Sequence, residues 1–146
     1  MLRGILGVIV GYVVMLIAVV VTFMGLYLVL GANGAFKPES YEPSVTWLVA
    51  SFVLALIAAI IGGLVCVAVA GGKKSAVALA GLVIVLGIIF AIPTLTASSS
   101  ETPAVRGGEV GNFEAMTKAK EPGWVALMNP VIGAVGVMIG SRLRRS

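Results

Sequence analysis

The sequence predicts an all-α integral membrane protein, with four transmembrane helices in a compact antiparallel bundle. One longer extracytoplasmic loop joins the third and fourth helices. Three observations carry this. Four stretches hold no charged residue, Gly4–Phe36, Pro43–Gly72, Ser75–Ser100 and Pro122–Ser141. Each is at least as long as the roughly 20 residues a helix needs to cross hydrocarbon about 30 Å thick. Mean hydropathy is +1.13, and 60% of residues are hydrophobic while only 11% are charged, against about 25% charged in soluble domains. Finally, runs such as Leu26-Tyr27-Leu28-Val29-Leu30 are apolar on every face. Barrel strands alternate instead, and lipid accepts only helices or closed barrels because it offers the backbone no hydrogen-bond partner.

The chain therefore reads as a single domain, 1–146, with helices at about 4–30, 46–70, 76–95 and 123–140, outer loops at 31–45 and 96–122, and an inner turn at 71–75. The first apolar run follows Arg3 and is far longer than the 7–15-residue core of a signal peptide, so it reads as an uncleaved anchor. It contains Gly7 and Gly11, spaced to let helix backbones approach closely. The loop at 31–45 carries Gly31, Gly34, Pro38 and Pro43, all turn formers. The second helix offers Ala59, Gly62 and Gly63 for close contact. The turn around Gly71-Gly72-Lys73-Lys74 is so short that the second and third helices are expected to be antiparallel neighbours. Pro93 kinks or ends the third helix.

In the loop that follows, Asn112–Lys120 has the marks of a short helix: an N-capping Asn112, and Glu114 with Lys118 at i,i+4. Pro122 suits the first turn of the last helix, where Gly136 and Gly140 again permit close packing.

Charge sets the expected orientation. With the N-terminus inside, the cytoplasm holds Arg3, Lys73, Lys74, Arg142, Arg144 and Arg145, and the outside holds Lys37, Arg106, Lys118 and Lys120. Lys and Arg favour the cytoplasmic side. All six acids, Glu39, Glu42, Glu101, Glu109, Glu114 and Glu121, fall in the two outer loops. Both termini are therefore expected in the cytoplasm, with a bacterial inner membrane as the setting. Lys73, Lys74, Arg142, Arg144 and Arg145 are candidate contacts for anionic lipid headgroups. Trp47, Trp124, Tyr27 and Tyr41 read as an aromatic belt at the outer interface.

Chemistry is scarce. The chain has no His, no Asp and no Gln, and Cys66 is its one cysteine. An internal disulfide, a relay between paired thiols and haem ligation by His are excluded on inventory, and no cofactor or metal site is expected. Coupled transport normally needs an ionisable group near the midplane, and no span has one in its interior. A short basic tail without interleaved aromatics gives no case for nucleic acid.

Asn129 is the amide well inside a span. Its neighbour Pro130 interrupts the helix ladder, so Asn129 reads either as a structural amide or as a polar intramembrane site. The expected function is a small non-enzymatic membrane protein that acts as an accessory subunit by helix packing, with lipids and other membrane subunits or further copies of itself as partners. The alternative is a passive pore or carrier for a small neutral solute, formed by an oligomer and lined by Asn129, Thr22 and Ser51.

Overall fold

The computed structural model describes residues 1–35, 43–97 and 123–144. Within them are four helices, α1 (Leu2–Ala35), α2 (Val45–Ala70), α3 (Lys74–Ala97) and α4 (Gly123–Leu143). All four are long and apolar enough to cross a membrane. The expected helix at Asn112–Lys120 lies outside the described residues, as do Tyr41 and Arg145.

The helices begin and end where local chemistry dictates. Ser44 caps α2, its side-chain oxygen accepting from the Trp47 amide at 3.1 Å. The Ser44 hydroxyl also donates to the Gly34 carbonyl, and the Ser44 amide donates to the Ala35 carbonyl at 2.8 Å. One serine thus starts α2 and ties it to the end of α1. At the other end of α2, Gly71 adopts φ 74° and ψ 9°, and its amide returns to the Val67 carbonyl. Left-handed φ is cheap for glycine alone, so the helix stops there.

α1 corrects the expected loop boundary at residue 31. Gly31 sits at φ 66° and ψ 179°, yet helix resumes beyond it to Ala35. Glycine at that position makes a kink rather than a terminus, and 31–35 extend the helix that was expected to be loop.

The inter-helix glycines set the topology. α1 and α2 are antiparallel, since a Cβ on Gly7 would meet Ala70 Cβ at 2.6 Å while one on Gly62 would meet Met15 Cβ at 2.9 Å. α3 and α4 are also antiparallel, with Gly133 against Val83, Gly87 against Pro130 and Gly123 against Leu95. α2 and α4 run parallel and very close: Gly63 meets the Val137 backbone, Gly136 meets Ala59, and Gly140 meets the Ile60 backbone.

α2 and α3 are antiparallel, but their contact is slight, and the main partners of α2 are α1 and α4. The expectation that α2 and α3 are close neighbours is therefore corrected. A short turn brings helices together at the turn alone; the small-residue faces of α2 and α4 decide the rest. Around the bundle the order is α1, α2, α4, α3, and the α3–α1 side is the thinly packed one.

The largest fully buried side chains lie toward the end that carries the chain's N-terminus. Cys66, Leu79 and Val137 are each 0% exposed there, in one cluster with Met15, Val67 and Ala76.

Candidate functional site

Two features stand out, a central cavity and a basic end. The cavity has a volume of about 280 Å³ and takes lining residues from all four helices. On α1 these are Tyr12, Met15, Val19 and Phe23, whose spacing of three or four residues keeps them on one face. α4 presents Ala126, Asn129, Pro130 and Gly133 by the same periodicity. α3 adds Leu86, Phe90 and Thr94, and α2 adds the small residues Ala55 and Ala59.

The small side chains of α2 leave the volume open, and Pro130 helps to shape it. Its ring presses on Gly87 of α3, and its missing N–H withdraws the helical donor from the Ala126 carbonyl. The polar side chains in the lining are Tyr12, Thr94 and Asn129, all of them neutral. The cavity opens at its edge, where Phe90 is 68% exposed and Asn129 is also exposed. α1 and α3 meet at the level of Gly11, where a Cβ would lie 3.1 Å from Leu79 Cδ2. Beyond that level the cavity lies between them.

Asn129 is thus brought to a shared site, whereas the two hydroxyls grouped with it from the sequence are not. Thr22 donates to the Ala18 carbonyl at 2.6 Å, and Ser51 donates to the Leu48 carbonyl at 2.9 Å. Each satisfies its own helix, the usual fate of such hydroxyls in a span. Tyr12 and Thr94 take their places in the lining. Thr94 was not singled out from the sequence; the signal that could have placed it is its spacing of four from Phe90 on the cavity face.

The packing candidates all touch a neighbouring helix of the same chain. Gly11 lies against Cys66 Cβ, 2.7 Å from an added Cβ, and a Cβ added at Gly136 would lie 2.9 Å from the Leu56 carbonyl oxygen. Gly7, Gly62, Gly63 and Gly140 make the contacts given above, and Ala59 is 1% exposed beneath Gly136. By contrast, a Cβ on Gly4, Gly25 or Gly81 would meet nothing within 4 Å.

The basic end gathers Arg3, Lys73, Lys74, Arg142 and Arg144, all exposed. The helix directions bring them together: α1 begins there, α2 turns into α3 there, and α4 ends there. Among the described residues every charged side chain belongs to this set, and each is cationic.

At the opposite end, Trp47 makes edge contacts with Phe23 at 6.0 Å and Tyr27 at 6.3 Å. Trp124 does so with Phe52 at 6.2 Å. Tyr27 is only 8% exposed, packed beneath Trp47 at the same level of the bundle, while Trp124 is 56% exposed. Among the described residues no cluster of His, Cys, Asp or Glu could hold a metal ion.

No family model matches the chain, and neither a curated protein nor a solved structure matches it. The fold and the apolar spans define a multi-pass membrane protein, a four-helix bundle with a neutral, open-sided cavity.

Proposed function

We propose that this chain is a small non-enzymatic integral membrane protein that acts as an accessory subunit of a membrane assembly. Its setting is a bacterial inner membrane, with both termini in the cytoplasm. The observation that carries the reading is the contrast between a tightly knit interior and an apolar exterior free of charge. α1 has only 17% of its most apolar window buried, against 39% in α4. It is fastened to the bundle mainly along α2, and its remaining surface of Ile9, Val13, Ile17 and Val21 faces outward. The wholly basic end matches the side on which Lys and Arg are retained, and it suits contact with anionic headgroups.

Gentle solubilisation of a C-terminally tagged copy, followed by native mass and identification of co-purifying chains, tests the proposal. Because Gly7, Gly62 and Gly136 hold the chain's own helices together, substitutions there confound folding with assembly. Gly25→Leu and Gly81→Leu do not, since space around both is open. Stoichiometric partners that dissociate in either variant support the reading. A lone copy whose mass is the same in both variants refutes it.

The cavity favours a second reading, a carrier or pore for a small neutral solute. Against a pore within one copy, Cys66, Leu79 and Val137 fill the bundle between the cavity and the basic end. Proteoliposomes are expected to leak no neutral solute above empty vesicles, and a clear leak would move the weight to this second reading.

A further inference from the structure

We propose that the cavity is a binding site for an uncharged single-chain amphiphile, of the chemical class of a long-chain alcohol, which enters from the bilayer between α1 and α3. Four observations converge on it, and none depends on whether the chain has protein partners.

The first is shape. The lining on α1 runs from Tyr12 to Phe23, about 16 Å of helix at about 1.5 Å per residue. A volume of about 280 Å³ over that length is narrow and long. It lies just under the roughly 300–1,000 Å³ usual for small-molecule sites and fits one hydrocarbon chain better than a fused ring system.

The second is access. The side of the bundle between α1 and α3 is the thinly packed one, and Phe90 at the edge of the cavity is 68% exposed. Both helices cross the membrane, so the opening faces lipid. The third is closure. Toward the basic end the cavity gives way to the fully buried cluster of Cys66, Leu79 and Val137, so a chain that enters stops rather than passes.

The fourth is polarity. Tyr12, Thr94 and Asn129 interrupt an otherwise apolar lining, and none carries a charge. Such a site can hydrogen-bond a hydroxyl. It has no counter-charge for a carboxylate or phosphate, and burying an unpaired ion is far more costly than burying a hydroxyl that finds a partner. The side chains select a neutral head over an ionised one.

The test uses the full chain in lipid nanodiscs with a diazirine-bearing hexadecanol as the probe, and labelled residues are read by mass spectrometry. Saturable labelling of Met15 and Phe90, competed by unlabelled hexadecanol, is expected above the labelling of outward-facing Ile17 and Val85. Ala55→Phe fills the cavity and is expected to abolish the saturable part while Ile17 and Val85 label as before. Val19→Phe does the same from α1 and serves if Ala55→Phe fails to fold. Asn129→Leu, which keeps the branched outline of the side chain and removes the amide, is expected to weaken competition roughly 2–10-fold, the effect of one neutral hydrogen bond.

Labelling spread evenly over all lipid-facing residues would overturn the site, as would saturable labelling unchanged by the filling variants. Equal competition by ionised palmitate would overturn the selection for an uncharged head.

Discussion

The contact between α2 and α4 makes the sharpest prediction. A Cβ added at Gly63 runs into the Val137 carbonyl oxygen and lies 2.9 Å from both the carbonyl carbon and Cα of Val137. These are backbone atoms, so no rotamer change relieves the clash. The two helices must separate by roughly 1 Å, a gap that forfeits about a quarter to a half of the dispersion energy of each atom pair it opens.

Overpacking of this kind typically costs about 1–3 kcal/mol, and one or two kcal/mol already changes the folded-to-unfolded ratio by about 5–30-fold. Gly81→Ala is the matched control. Its Cβ meets nothing, and a better helix former replaces glycine, a gain of up to about 1 kcal/mol in a helix. Reversible unfolding in mixed micelles, followed by far-UV dichroism as the denaturing detergent rises, reads both variants. Gly63→Ala is expected to unfold at a clearly lower fraction of denaturing detergent than the parent, and Gly81→Ala at an equal or higher one. Coincident transitions for the two variants would refute the claim that α2 and α4 pack backbone to backbone.

Further outcomes follow from the same geometry. Gly31, at φ 66° and ψ 179°, occupies a region essentially reserved for glycine, so Gly31→Ala is expected to cost about 1–3 kcal/mol in the same unfolding assay. Ser44→Ala removes the cap on the Trp47 amide and the tie to Gly34; a loss of about 1 kcal/mol is expected, with faster hydrogen exchange at Trp47. Cys66 is 0% exposed, so a maleimide is expected to leave it unmodified until the bundle opens. Gly11→Ala, whose Cβ would sit 2.7 Å from Cys66 Cβ, is expected to speed that alkylation. Rapid modification of the parent in mild detergent would contradict the packing of α1 on α2.

The membrane class and the number of spans were legible in the sequence because both rest on sums over long windows. Twenty apolar residues cannot hide from a hydropathy average, and the backbone has no alternative to helix in lipid. Helix ends were legible to within a few residues wherever a cap residue marks them, as Gly71 does. Gly31 misled because one glycine serves a kink as well as a terminus, and the outcome depends on whether the next residues resume helical geometry.

What only the tertiary structure decided is which helix faces which. The spans are apolar all round, so no hydrophobic stripe points inward as it does in water. Pairing is left to close-fitting contacts such as Gly63 on Val137 and Gly87 on Pro130, which depend on three-dimensional registry. Asn129 could be singled out in the sequence by its polarity. Its meeting with Tyr12 and Thr94 around one cavity could not, because residues so far apart along the chain share a site only after the parallel packing of α2 and α4 has placed α3 and α1 on either side of it.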